Sequence, residues 1–260
     1  MRLTIRLFAV LRERAGRDEI ALEDVPVGAT VDEVKALLST SCPELGDLSA
    51  VAGVIGTTYA RGDSVVAEGD EVAFLPPVSG GAGHAVEPSD LEAGVFELAS
   101  EPLDVAEIQR RVGHPSCGAI VLFTGVTRDT NRGQAVVELD YEAFAEMAGP
   151  EMGRIFADCL AAHGPASAGQ GKDRAADQGQ ADGEGAGSLP PEALALRMLA
   201  IHRTGVVPVG EPSVAIAVAS PHRDAAFQAA RFLIDTLKER LPVWKKEVYR
   251  DGHHWIGDRS

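Results

Sequence analysis

The chain has 260 residues, 45% of them hydrophobic, which is enough for one large domain or two domains of ordinary size. Its 39 acidic and 24 basic side chains give a net charge of −15, which argues against general binding to nucleic acids or anionic membranes. No apolar run approaches the ~20 residues that span a bilayer, and the first residues lack the apolar core of a signal peptide, so we expect a cytoplasmic protein.

The chain has three isolated cysteines, Cys42, Cys117 and Cys159. Their number is odd and no C-x-x-C pair occurs, so their spacing indicates neither a disulfide framework nor a zinc site. We expect each of them to be a small buried hydrophobic residue.

The first 81 residues predict the element order of a β-grasp, or ubiquitin-like, domain. Apolar and polar residues alternate over residues 3–7 and again over residues 19–25, as in half-buried strands. Thr30 and Glu33 form a capping box at the start of a helix whose apolar residues have helical spacing. Further strands are predicted over residues 51–55, 65–66 and 71–75.

A tail with almost no side chains ends this first unit. The last strand runs into Pro76 and Pro77, which hold the backbone extended, and then into Val-Ser-Gly-Gly, ending at Gly81. A Gly-Gly tail fits a channel too narrow for side chains, although a flexible linker between domains has the same composition. Residues 69–81 resemble the end of the small subunit of molybdopterin synthase, and the resemblance extends over residues 1–81. It implies that Gly81 becomes a thiocarboxylate and donates sulfur.

The rest of the chain predicts a second unit, residues 94–260, after a small and acidic linker over residues 82–93. We expect helices over residues 104–112, 150–162 and 220–241, and strands over residues 118–123, 137–141, 194–201, 212–219 and 243–249. Residues 164–188 contain no Val, Ile, Leu, Met or aromatic side chain and cannot offset the entropy of their ordering. We therefore expect a disordered insertion near residues 163–190, inside one domain.

Lysines stand on both sides of the helix break predicted at Pro242. Lys238 lies in the last turn of the helix and Lys245 in the following strand, so a chain reversal can aim both at one pocket. Neighbouring cations favour a neutral amine, which can act as a nucleophile or a general base. The alternative is that lysines at a helix end only complement the helix dipole.

Three further cationic side chains are candidates for binding an anion. His222 and Arg223 open the last helix, where free N–H groups and the helix dipole favour negative charge. Arg128 follows a buried strand, a common place for binding residues. The alternatives are a capped surface helix and an ordinary loop arginine. Residues 221–260 carry 8 basic and 6 acidic side chains in an otherwise acidic chain, which suggests a local anion site.

Four segments of the second unit, in this order, resemble the large subunit of molybdopterin synthase: residues 123–128, 201–205, 220–227 and 237–247. The resemblance implies that the pocket for the pterin phosphate is lined by Arg128, His222, Arg223, Lys238 and Lys245, with Lys246 as a further substrate-binding residue. It makes Lys238 the first choice for the acid/base or covalent group, supported by Lys245. It leaves His202 and Arg203 as candidates for a structural role.

Together the two resemblances imply an α+β protein in which both subunits of molybdopterin synthase are fused. The implied reaction inserts two sulfurs into cyclic pyranopterin monophosphate to form the dithiolene of molybdopterin. The implied partners are an adenylating enzyme that activates the tail and a second copy bound through the C-terminal domain; no metal or organic cofactor is implied. Two alternatives stay open: a sulfur carrier for another thiolation pathway, and a non-catalytic interaction protein with a ubiquitin-like module.

One bond departs from the family pattern. Gly81 is joined to Ala82 by an amide, whereas adenylation and sulfur exchange need a terminal carboxylate. We therefore expect cleavage after Gly81, because the small residues of this Gly-Gly-Ala-Gly segment suit a protease. The alternative is that the sequenced chain is an uncleaved precursor.

Overall fold

The computed structural model describes four stretches of the chain: residues 1–76, 91–164, 196–252 and, by backbone alone, 254–257. Three predicted features fall wholly or mostly outside them: the Gly81 tail, the 82–93 linker and the insertion near 163–190. None of the helices in these stretches is long and apolar enough to cross a membrane.

Residues 1–76 form the N-terminal domain, a five-stranded sheet with helices packed against it. The strands lie in the order β2-β1-β5-β3-β4, with β1 and β5 paired in parallel. They are β1 (Leu3–Leu7), β2 (Glu19–Leu22), β3 (Ala52–Ile55), β4 (Thr58–Ala60) and β5 (Val72–Leu75). The helices are α1 (Ala9–Ala15), α2 (Val31–Ser41) and a 3-10 turn at Pro43–Leu45. This is the β-grasp order that the sequence predicts.

The capping box predicted at the start of α2 is formed. The backbone N–H of Thr30 donates to Glu33 Oε2 at 2.8 Å, and the N–H of Glu33 donates to Thr30 Oγ1 at 3.3 Å. The strand predicted over residues 65–66 is wrong, because only a single bridge between Thr30 and Val65 forms there. The bridge does not extend into a ladder, because its partner segment ends at Thr30, where α2 begins. Helix α1 and strand β4 are present although the sequence patterns did not predict them.

In the part of it that the structure describes, the C-terminal domain has two sheets and three helices. The first sheet has the order β6-β10-β12-β7, and the second has the order β11-β9-β13-β14 with β8 paired to β9. The strands are β6 (Val95–Ala99), β7 (Ala119–Val126), β8 (Thr130–Asn131), β9 (Gln134–Ala143), β10 (Arg197–Arg203), β11 (Gly205–Pro208), β12 (Pro212–Ser220), β13 (Val243–Tyr249) and β14 (His254–Gly257). The helices are α3 (Val105–Val112), α4 (Ala145–His163) and α5 (Arg223–Arg240). The predicted α+β class is confirmed.

Helices cover both faces of the first sheet. On one face, α4 and α5 pack around Phe156 and Leu233, and on the other face α3 packs around Ile108. Because helices cover both faces, β10 and β12 are buried along almost their whole length. α4 begins at Ala145, earlier than predicted, so Pro150 lies inside the helix and removes one backbone hydrogen bond from it.

The second sheet separates the N-terminal domain from a cavity, because successive residues of a strand point to opposite faces. In β13, Trp244 packs against Phe8 of the N-terminal domain, whereas Lys245 lines the cavity. The neighbouring β9 repeats this alternation. Glu142, which pairs with Trp244, faces the N-terminal domain, and Tyr141, which pairs with Lys245, lines the cavity.

An aromatic cluster holds the two domains together. The ring of Phe8 stacks on those of Phe144 and Trp244, with ring centroids 4.6 and 5.4 Å apart. Leu75, at the end of β5, is fully buried in the same cluster. Ion pairs across the domain boundary join Arg6 to Glu146, Arg12 to Glu142 and Lys246 to Glu13. The last described residues before the tail are therefore anchored on the C-terminal domain.

Candidate active site

A cavity of about 250 Å³ lies between α5, the second sheet and the loop after β7. Three of the predicted site residues line it: Arg128 from the loop, Lys238 from the last turn of α5 and Lys245 from β13. Leu241 and Pro242 form the turn between α5 and β13, and this reversal brings both lysines to one cavity.

Lys245 is held by a carboxylate that the sequence patterns did not single out. Its Nζ lies 3.2 Å from Glu247 Oε1. Glu247 also accepts hydrogen bonds from Asn131 Nδ2 and from the Tyr249 hydroxyl, both at 2.7 Å. Burial by itself raises the pKa of Glu247, but the hydrogen bonds from Tyr249 and Asn131 and the charge of Lys245 outweigh it and leave that pKa below its ordinary value. Glu247 is therefore an ionised partner that fixes the ammonium group of Lys245.

Beside Lys245, the cavity is lined by polar side chains without charge, His202, Tyr141 and Ser213. The buried ring of His202 meets the ring of Tyr141 edge to face, with centroids 5.0 Å apart. Burial lowers the pKa of His202 to about 4, so this side chain is neutral near pH 7. Its Nδ1–H donates to the carbonyl of Arg203 at 2.7 Å. The Tyr141 hydroxyl donates to Ser213 Oγ at 3.1 Å, and burial raises the pKa of Tyr141.

Arg203 does not line the cavity. Its side chain is buried, and Nη1 donates to Glu211 Oε2 at 2.6 Å while Nη2 donates to the carbonyl of Val206 at 3.3 Å. These contacts tie the end of β10 to β11 and to the turn between β11 and β12. Arg203 is thus a structural residue, which is one of the roles the sequence left open for it.

His222 and Arg223 do not reach this cavity within one chain. They are the N-cap and the first residue of α5, and both are exposed. Lys238 lies 15 residues after Arg223 on the same helix, which at ~1.5 Å per residue is roughly 22 Å. The predicted anion site at the start of α5 and the lysine pair at its end are therefore separate in a single copy.

Lys246 lies on the wrong face of β13 for the cavity. It follows Lys245 directly, so its side chain points to the side of the N-terminal domain, where Nζ lies 3.3 Å from Glu13 Oε1. The structure therefore assigns Lys246 to the domain boundary, in contrast to the substrate-binding position predicted for it.

Gly81 is outside the described residues, and the last described residue before its tail is Pro76. Trp244 Nε1 donates a hydrogen bond to the carbonyl oxygen of Pro76 at 3.2 Å. Trp244 immediately precedes the cavity residue Lys245. The five residues from Pro77 to Gly81 reach at most about 17 Å when fully extended. The tail thus starts at the strand that carries Lys245, on the face of the sheet opposite the cavity.

The three cysteines are free thiols with no visible role in this site. Cys42 and Cys159 are buried, as predicted, whereas Cys117 is partly exposed. Burial raises the pKa of the Cys159 thiol to about 12, which keeps it protonated and unreactive. Within the described stretches, no cluster of His, Cys, Asp and Glu side chains is placed to hold a metal ion.

Comparisons with known proteins match the two domains separately. The MoaE protein family matches residues 98–169 and 190–240, and the ThiS family matches residues 5–81. The molybdopterin synthase catalytic subunit of Taeniopygia guttata is 35% identical over 170 residues, which cover 65% of this chain and 90% of that protein. The one from Culex quinquefasciatus is 41% identical over 158 residues, 60% of this chain and 82% of that protein. A solved molybdopterin synthase from Staphylococcus aureus, 26% identical, aligns with 62% of this chain and 96% of its own with a TM-score of 0.47.

Proposed function

Since the chain belongs to the molybdopterin synthase catalytic subunit family and carries a ThiS-family domain before it, we propose that it is a molybdopterin synthase with both parts of the enzyme in one polypeptide. Its reaction transfers sulfur from a thiocarboxylate at Gly81 to cyclic pyranopterin monophosphate. In each transfer the thiocarboxylate sulfur bonds to a substrate carbon and the oxygen that it displaces leaves as water. A water molecule then cleaves the acyl–sulfur bond, which leaves the tail as a carboxylate, and two transfers complete the dithiolene.

One observation carries this proposal: the tail of the N-terminal domain starts at the strand that carries Lys245, on the face of the sheet opposite the lysine cavity of the C-terminal domain. Pro76 is bonded to Trp244, the neighbour of Lys245. A sulfur carrier for an unrelated thiolation pathway does not require a cationic cavity in the same chain. A non-catalytic interaction module has no use for two lysines and an arginine in one pocket, so both alternatives are disfavoured.

The cationic residues of the cavity differ in their surroundings, which supports different roles. Lys245 is paired with Glu247 and serves as a fixed positive charge for the substrate. Among the described residues no carboxylate forms an ion pair with Lys238, so its amine is free for proton transfer or covalent attack. Arg128 binds the substrate phosphate, for which a guanidinium is well suited.

His222 and Arg223 enter this proposal through a second copy of the chain. Both are exposed at the far end of α5 from Lys238, so a second C-terminal domain is needed to place them at the cavity. The proposed homodimer therefore completes the anion site. An enzyme that adenylates the freed Gly81 carboxylate is the second proposed partner.

The direct test is an assay for molybdopterin. Protein purified with its tail cut after Gly81 and charged with sulfur is mixed with cyclic pyranopterin monophosphate, and the product is measured by mass spectrometry. The matched control is the same protein lacking Gly80 and Gly81, which keeps the cavity and loses the donor. Equal product from the two proteins would exclude Gly81 as the sulfur donor.

A further inference from the structure

The last turn of α5, which carries Lys238, cannot satisfy its own carbonyl groups. The carbonyl of Leu237 accepts the N–H of Leu241 at 3.0 Å. For the carbonyl of Lys238 the corresponding donor, four residues on, would be Pro242, which has no N–H. The end of the helix at the catalytic cavity therefore depends on groups from outside the helix.

A tyrosine of the N-terminal domain supplies one of these groups. Tyr59 in β4 donates its hydroxyl hydrogen bond to the carbonyl oxygen of Arg240, the last residue of α5, at 3.0 Å. Its ring packs against the aromatic cluster between the domains. Burial raises the pKa of Tyr59, so the hydroxyl keeps the proton that it donates.

An ion cluster also ties the end of α5 to the hairpin formed by β3 and β4. The Arg240 guanidinium donates to Glu151 Oε1 and to Asp158 Oδ2 of α4, both at 2.6 Å. The buried Glu151 also accepts a hydrogen bond from Arg154 Nε at 2.8 Å. Arg154 Nη2 in turn donates to the carbonyl of Thr57, between β3 and β4, at 3.3 Å. Two contacts of the β3–β4 hairpin thus converge on the end of α5.

We propose that Tyr59 is a positioning residue for the lysine pair. By capping α5, it holds the turn at residues 241–242 that separates Lys238 from Lys245. The N-terminal domain, which carries the sulfur, therefore also fixes the positions of the two lysines. The cavity has its working geometry only while that domain is docked. This inference rests on the proposed function, in which the two lysines act on the substrate.

Hydrogen exchange on the full chain tests the capping directly. Tyr59→Phe keeps the packed ring and removes only the donor. Amides of residues 237–245 should then exchange roughly two- to tenfold faster, which corresponds to the loss of one ordinary hydrogen bond, while amides of α1 and β5 keep their rates. The matched control is Thr58→Ala, an exposed change on the same strand. Unchanged exchange at the end of α5, an equal change with Thr58→Ala, or faster exchange over the whole domain boundary would each overturn the proposal.

The kinetics of protein that is cut after Gly81 and loaded with sulfur provide the second readout. Tyr59 does not line the cavity, so Tyr59→Phe should leave KM for the pterin unchanged. It should lower kcat by roughly the same two- to tenfold factor as the exchange rates change. Faster exchange with an unchanged kcat would show that the cap does not position the lysines. If the unmutated protein makes no molybdopterin, the proposed function fails, while the exchange data still decide whether Tyr59 caps α5.

Discussion

At the scale of single residues, Lys245 and Lys246 show how one step along a strand changes a side chain's role. Lys245 faces the cavity and is fixed by Glu247, whereas Lys246 faces the N-terminal domain and pairs with Glu13. The two lysines have the same chemistry, so the difference comes entirely from the alternation of the strand. They therefore form a natural pair for comparison with Lys238.

Lys238→Ala should abolish product formation and leave the fold intact. Its side chain is only partly buried and forms no ion pair with the described carboxylates, so its removal should change the stability of the fold little. The rate of product formation should fall by roughly 10²-fold or more, the effect of losing a general acid or base. Lys238→Arg should fail as well, because a guanidinium stays protonated. Molybdopterin formation and thermal unfolding are measured, with Lys246→Ala as the control that keeps activity. Turnover like that of the unmutated protein in either Lys238 variant would remove Lys238 from the mechanism.

His202 should make stability depend on pH. The pKa of His202 is about 4 in the folded chain, whereas the pKa of an exposed histidine is about 6.5. Between these values only the unfolded chain binds the proton, so the contribution of His202 is present above about pH 6.5 and is lost as pH falls towards about 4. We expect the unmutated chain to lose up to about 3 kcal/mol more than His202→Gln over this window in urea unfolding. Parallel pH profiles for the two proteins would contradict this.

At the scale of elements, the reversal between α5 and β13 forms the site. A proline after the helix ends it, and the next strand returns along the cavity with Lys245 facing Lys238 across it. Because α5 ends at Arg240, the carbonyl of Arg240 has no donor within the helix, and a side chain from another domain supplies one. Under our proposal that Tyr59 positions the lysines, this one turn couples the geometry of the cavity to the docking of the N-terminal domain.

Residues 165–188 should be removable with little loss of activity or stability. Their sequence has no large apolar side chain with which to build a core, and the entropy of loop closure changes only slowly with length. The unmutated chain and the deletion are compared by thermal unfolding and by the molybdopterin assay. A deletion that fails to unfold cooperatively, while the unmutated chain does, would show that the segment packs on the protein.

At the scale of the whole molecule, the docking of the two domains predicts that cleavage after Gly81 leaves them associated. The aromatic cluster of Phe8, Phe144 and Trp244 and the ion pairs around it do not depend on the peptide link. The two pieces should therefore stay together after the cut.

Intact-mass analysis of protein isolated from its native host tests this expectation. Active protein should contain a piece that ends at Gly81, and both pieces should elute together in size-exclusion chromatography. Protein in which Gly81→Pro blocks the cut serves as the control and should stay at the full mass of 27.3 kDa without activity. Active protein whose only species is the full-length chain would refute the cleavage hypothesis and the donor role of Gly81.

Local patterns in the sequence determined a large part of this protein. The capping box of α2, the order of the first strands and the pairing of Lys238 with Lys245 around Pro242 follow from spacing over a few residues. The strand predicted over residues 243–249 already implied opposite faces for Lys245 and Lys246, and the rule of alternation applied to it would have placed Glu247 in the cavity.

Only the tertiary structure decided which distant segments meet. His222 and Arg223 lie a helix length from Lys238, although the sequence groups them with it, because a straight helix keeps its two ends apart. Tyr141 enters the cavity by pairing with Lys245 across strands, and Tyr59 reaches α5 from 181 residues away. Such contacts are set by how the sheets and helices pack, and the spacing of residues along one segment carries no information about them.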